Sequence, residues 1–359
     1  MDHSKKKPVY PISENLHRYL LRYGREESLP ISYDDLMAWT DEFSVYDSQG
    51  NDTLWKSVIY GPGMQQEVDD GLKHIYASLK TDGNMDVIQH LSVSRIDYCL
   101  FGNSNPFRIR VVNNYNDNHD YFYIKKADAS RIFGLEFEHI LSPNRISYLT
   151  EDETLVEEHI PGIPGDVFLS TYMDTPNFYP IGMAKEFVKF NERCFVMLLG
   201  DMRSYNYVID VTPDFDKEQY RTRPIDFDQF CYEGRKNNYR PQFYKENSKV
   251  VQFCMDVLTP ETVNQYQYEE RSLMKKRYII SKKRVFLLME ALTDQRISTP
   301  EKRKSLCADL NEFHHTTSFN RLRSMGSILR KHMDLMLDKP RIKRPSGNVR
   351  YKKENKKKK

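Results

Sequence analysis

Long apolar runs are missing from this sequence. The longest, Cys194 to Leu199, is far short of the roughly 18–20 residues a helix needs to span a bilayer, which excludes a transmembrane helix. The N-terminus, Met1 to Pro8, is basic but has no apolar stretch behind it, so no secretory signal is expected. Cysteine is scarce: Cys99, Cys194, Cys231, Cys254 and Cys307 are odd in number, widely spaced and without a C-x-x-C pair. That pattern predicts reduced structural thiols in a cytoplasmic protein. Paired ligand spacing is absent too. His3, His17, His74 and His90 stand alone, and the adjacent His314 and His315 have no Cys or second spaced His nearby, so they are expected on a helix end at the surface.

Net charge is also small, +3 at neutral pH, but it is unevenly spread. Lys339 to Lys359 carry eleven basic residues and one acid, a local +10 that leaves −7 on residues 1–338. A mildly acidic body with a basic tail argues against a whole-domain nucleic-acid binder, and leaves polyanion contact to the tail alone.

What is present is a change of pattern along the chain. Residues 1–91 read as a mostly helical extension: Ser32 with Asp35 caps one helix, and Val68, Leu72, Ile75 and Leu79 mark the apolar face of another after the turn at Gly61-Pro62-Gly63. From about 92 strands dominate. Ser94–Phe101 and Phe107–Val112 flank the polar turn Gly102 to Pro106, and Tyr121–Lys126 is a third strand. Ala129–Leu141 has helical periodicity; Ile146–Leu149 and Thr154–Ile160 are two short strands, closed by Pro161-Gly162. Helices resume at Gly182–Leu199 and fill 245–338, with strands at 205–230. The tail is too charged to fold alone.

Four patches occur in an order that resembles the protein-kinase-like superfamily, in particular its aminoglycoside phosphotransferase and choline kinase branch. The strongest is Gly200-Asp201 through Asn206, followed by Ile225-Asp226-Phe227-Asp228, similar to the family's catalytic loop and metal-binding motif. The resemblance makes Asp201 the catalytic base or orienter of the attacking hydroxyl, and Asn206 and Asp226 the Mg²⁺ ligands. Tyr123-Ile124-Lys125-Lys126 resembles the strand with the ATP-phosphate lysine. Strand alternation sends one of the pair into the cleft, the family order favouring Lys125 with Lys126 as the fallback. On the following helix Glu136 or Glu138 is expected to pair with that lysine. Leu155 to Gly162 resembles the crossover whose backbone, near Glu158, His159 and Ile160, reads adenine. The tandem acids Asp226 and Asp228 also resemble those of spore-coat CotH kinases, and with Gly200-Asp201 those of phosphoinositide kinases.

The chain departs from standard protein kinases: Gly102 to Pro106 is no G-x-G-x-x-G loop, Leu199 stands where a histidine is common, and neither H-R-D nor A-P-E occurs. The resemblance therefore implies an α+β, two-lobed protein-kinase-like fold. Its parts are a helical extension (1–91), a small antiparallel β N-lobe (92–165), a mainly helical C-lobe (166–338) and a basic disordered tail (339–359). The implied activity is transfer of the ATP γ-phosphate, with Mg²⁺, to a hydroxyl of a small molecule or protein. A pseudokinase-type nucleotide-binding module and a nucleic-acid adaptor acting through the tail are the alternatives.

Overall fold

The computed structural model describes residues 7–337 except 82, 101–103 and 216. The basic tail, the polyanion contact expected of it and Gly102 and Asn103 of the turn at 102–106 lie outside the described residues. The chain begins with helices α1 (Glu14–Arg22) and α2 (Tyr33–Leu36), a hairpin of β1 (Asp41–Tyr46) and β2 (Asp52–Ile59), and helix α3 (Pro62–Lys80). Strands β3 (Leu91–Cys99), β4 (Phe107–Asn113) and β5 (Asn118–Lys126) lead into α4 (Ala129–Leu141), then β6 (Tyr148–Glu151) and β7 (Thr154–Glu158). After the crossover come β8 (Ile163–Pro164), α5 (Gly165–Thr171), α6 (Pro180–Met197) and the hairpin β9 (Tyr207–Asp214) and β10 (Lys217–Pro224). The remainder is helical: α7 (Ser248–Val257), α8 (Pro260–Ile280), α9 (Lys282–Asp294), α10 (Pro300–Phe313) and α11 (Met325–Met336).

The protein is α+β, with an antiparallel sheet in the order β1-β2-β3-β4-β5-β7-β6 and a small one, β10-β9-β8. The expectation of a mostly helical stretch before residue 91 misses the β1–β2 hairpin, which extends the large sheet through pairs such as Trp55 with Cys99. Only Ser57 and Val58 of its residues are buried, and most of its apolar residues fall in adjacent pairs (Val45-Tyr46, Leu54-Trp55, Val58-Ile59), so the segment has little of the apolar alternation by which a half-buried strand is recognised.

Two apolar cores form, one on each face of the large sheet, because strand residues alternate between faces. Phe122, Ile124, Val156 and Leu149 turn toward α3, which supplies Val68, Leu72, Ile75 and Leu79. Leu155 and Tyr148 turn the other way, into the core shared by α1, α4, α6 and the C-terminal helices. Within this second core α4 is buried at every residue but His139, as expected of a helix lodged inside a large body rather than on its surface. The five cysteines are buried and none is in a disulfide. Among the described residues no helix is long and apolar enough to cross a membrane.

Candidate active site

The sheet's inner face decides which lysine is enclosed. Tyr123 and Lys125 share the face opposite Ile124, and Lys125 is 7% exposed, whereas the side chain of Lys126 keeps 44% exposure and pairs with Glu153. Lys126 borders a cavity of about 560 Å³ whose acidic lining includes Glu14, Glu26 and Asp152, apart from the cluster around Lys125.

The partner of Lys125 is neither of the helix glutamates. Its Nζ donates to Glu157 Oε2 at 2.9 Å. Glu157 faces Tyr123 directly across β5–β7, hence on the same side of the sheet as Lys125. Glu136 instead accepts from Tyr19 Oη (2.6 Å), Tyr148 Oη (2.8 Å), Arg25 Nε (3.3 Å) and Arg284, joining α1, α4, β6 and α9. Glu138 takes Asn144 Nδ2 at 2.8 Å, and burial pushes its carboxyl up. The correction has a geometric cause: the middle of α4 faces the helical core, and only its first turn reaches the cleft.

That first turn brings Arg131, which is 2% exposed. Its Nε and NH2 hold Glu157 as a fork, NH2 also donating to Ile225 O at 3.2 Å. NH1 donates to Asp226 Oδ1 and Asp228 Oδ1, each at 2.9 Å. Beside it Ser130 Oγ reaches Asp228 O and Phe230 O, at 3.1 and 2.7 Å, so the helix is fixed to the Asp226–Phe230 segment. The N-cap of α4, Asp128, accepts from Arg131 N, Tyr10 N and Lys7 Nζ (3.1, 2.8 and 2.7 Å), tying an N-terminal strap over the same spot. Three cations (Lys7, Lys125, Arg131) thus meet four carboxylates (Asp128, Glu157, Asp226, Asp228).

The charges set the protonation. Burial alone would raise the Glu157 carboxyl, but Arg131 and then Lys125 outweigh it and bring it down to about 2. Burial, and then the neighbouring Arg131, lower Lys125 despite Glu157. Asp226 is raised by burial and by Asp228; for Asp228 the guanidinium prevails over burial and the shift is downward.

The loop after α6 is shaped by left-handed residues. Leu198 ends the helix at φ +53° and Asp201 has φ +57°, a region Asp tolerates better than most residues. Between them Gly200 lies so close to Gln229 that an added Cβ would stand 3.0 Å from its carbonyl oxygen. Asn206 closes the loop by donating Nδ2 to Asp201 O at 2.7 Å, and its own carbonyl accepts from Ile225 N at 3.0 Å. The Asp201–Asn206 loop and the Asp226 segment are therefore joined. The Asp201 carboxylate accepts from Arg203 Nε at 2.8 Å, and burial moves its pKa up against that pull, in the direction that suits a proton acceptor.

At the crossover, Glu158 N donates to Ser147 O and His159 N to Tyr121 O. Glu158 also accepts from Lys80 and Ser147 N, and the Ile160 side chain is buried. The N–H groups of Glu158 and His159, part of the backbone expected to read adenine, are thus committed to the fold. His314 stands at the end of α10 and His315 is exposed, as expected, but His314 is half-buried and bonded to the buried His332 at 2.9 Å.

No family model matches the chain, and no curated protein matches it. Among solved structures it is similar to a chain described as titin kinase and its flanking domains, at 12% identity and a TM-score of 0.29, over 69% of this chain and 55% of that one. A likeness that loose carries no argument about fold or activity.

Sequence reasoning missed Arg131 and Glu157. Both had a signal. An arginine in the first turn of a helix opposes the helix dipole, so it calls for a tertiary anion, and Glu157 has the same strand parity as Lys125 once the two strands are paired. Asp226 and Asp228, which the resemblance gives to a metal, already share a guanidinium. Among the described residues no group of three or more His, Cys, Asp or Glu is arranged to hold a metal.

Proposed function

We propose that this protein is a kinase-like phosphotransferase that moves the γ-phosphoryl group of ATP to a hydroxyl acceptor. One observation carries the reading: three segments far apart in sequence, at Lys125, at Asp201–Asn206 and at Asp226–Asp228, join through Glu157, Arg131 and the Ile225–Asn206 hydrogen bond. Phosphoryl transfer asks little covalent work of a protein, mainly positioning and charge compensation. Asp201, raised by burial, orients the acceptor hydroxyl and takes its proton. Lys125 supplies positive charge for the phosphates, and Asn206 holds the loop in register through Asp201 O. The acceptor pocket is assigned to the helices of 245–337, with no substrate class singled out.

A two-lobed division fits the two cores on opposite faces of the sheet. A second reading, a nucleotide-binding module without transfer, is favoured by the hold of Arg203 on Asp201 and of Arg131 on Asp226. Labelled ATP offered with a panel of hydroxyl acceptors, autophosphorylation included, separates them. The transferase reading expects product with wild type, none with Asp201→Asn, and equal ATP protection against unfolding in both. Protection without label transfer from the wild type selects the module; no protection and no transfer refutes both.

A further inference from the structure

We infer that Arg131 is the resident cation of the Asp226–Asp228 pair, and that it keeps a divalent metal ion from binding there. If the cleft takes ATP, which rests on the function proposed above, it does so without a divalent ion on this pair.

The guanidinium has five N–H donors, and all five are used: Nε and NH2 on Glu157, NH2 on Ile225 O, NH1 on Asp226 and on Asp228. None is left over to hold a displaced position. Such a planar fork is well matched to carboxylates and is always charged. The arginine cannot swing aside easily, because its own helix turn is fastened by Asp128 to Lys7 and Tyr10, and by Ser130 to Asp228 O and Phe230 O. A metal on Asp226 Oδ1 would have to displace both Arg131 and Asp228 N, and one on the other carboxylate oxygen of Asp226, whose side chain is 31% exposed, would still stand beside a buried guanidinium that repels it. Charge gives little reason for the exchange: three cations already answer four carboxylates, so one negative charge remains where a divalent ion brings two positive. Mg²⁺ also demands near-octahedral oxygen geometry, while Asp228, 9% exposed at its side chain, is enclosed with the arginine.

The test is a Mn²⁺ titration followed by the loss of free-ion electron paramagnetic resonance signal, on the full chain. Wild type and Asp226→Asn should give the same curve up to millimolar Mn²⁺, and Arg131→Gln should gain a site at least ten-fold tighter that the added Asp226→Asn change removes. Wild-type binding that Asp226→Asn abolishes overturns the inference, and that comparison needs no Arg131 variant to fold. Thermal protection by ATP is then compared in EDTA and in Mg²⁺. Equal protection, or Mg²⁺-dependent protection that Asp226→Asn leaves unchanged, agrees with the inference, and Mg²⁺-dependent protection that Asp226→Asn abolishes contradicts it. No protection in either refutes the nucleotide reading, while the Mn²⁺ curves still decide the role of Arg131.

Discussion

Replacing Glu136 by Gln separates two roles for that residue. In the kinase-like expectation it supports the ATP lysine; in the structure it is a buried hub with no contact to Lys125. The Glu136 side chain is fully enclosed, and two tyrosine hydroxyls and two arginines converge on it, the arginines 12% (Arg25) and 23% (Arg284) exposed at their side chains. Removing the charge leaves two guanidiniums facing a neutral amide. Breaking a buried ion pair by losing one partner costs about 3–5 kcal/mol, but the partial exposure of both arginines and the remaining amide oxygen reduce this to about 2–4 kcal/mol. Urea unfolding of wild type and Glu136→Gln measures the difference. The pH dependence has a definite sign. Against the raising effect of burial, Arg25 and Arg284 together with the two tyrosines hold the Glu136 carboxyl below its ordinary 4.5. Its contribution is therefore complete above the ordinary carboxylate range and is lost as pH falls through the lower folded-state value. The wild type should lose more stability on acidification than Glu136→Gln. Equal stability of the two proteins at neutral pH, with ATP binding lost in the variant, would refute the structural assignment.

Burial brings Glu192 up to about 7 despite Arg271 and Arg240, so it favours the folded state below the ordinary 4.5 and loses that contribution as pH rises through 7; Glu192→Gln should raise stability at pH 8 by about 1 kcal/mol and flatten the profile between those values, read by urea midpoints. Gly165→Ala puts a Cβ within 2.4 Å of Ser204 O and nearer still to the Tyr207 ring, so thermal unfolding should show a loss of more than about 2 kcal/mol, near the upper range for overpacking. Lys126→Ala breaks only an exposed pair with Glu153 and should change stability by less than about 0.5 kcal/mol. Lys125→Ala removes a buried partner of Glu157 and should cost about 1–3 kcal/mol, below the full penalty for a broken buried pair because Arg131 remains; denaturant titration of the two variants side by side checks the contrast.

Local periodicity was readable where packing follows pattern. The apolar stripe of α3, its proline-led start, the capped α2 and the limits of α4 all rest on interactions within a few residues. Strand parity allowed only one of Lys125 and Lys126 to be enclosed, and the family order, not parity, favoured Lys125. The partners of Lys125 and Glu136 were not readable, because they depend on how far α4 is rotated about its axis, and that is decided by residues 95 or more positions away: Tyr19, Arg25 and Arg284 on one side, Asp226 and Asp228 on the other. The β1–β2 hairpin escaped for another reason, since an exposed edge needs no apolar alternation. The Asp201–Asn206 loop was visible as a motif, but its left-handed backbone and its link to Ile225 come from the close approach of Gly200 to Gln229.

The fastenings of α4 have a mechanical consequence. A helix that regulates a cleft by moving must be able to turn or slide against one of its neighbours. Here one end is bolted through Asp128 and Ser130 to the strap at Lys7–Tyr10 and to the Asp226–Phe230 segment, and its middle is riveted through Glu136 to α1 and α9. The first attachment lies at the cleft and the second in the helical core, so α4 is held at both places although the chain order places it among the strands. The Lys125–Glu157–Arg131 junction adds a third fastening, between α4 and the inner face of the sheet, so a shift of α4 would have to break buried ion pairs at each of its attachments.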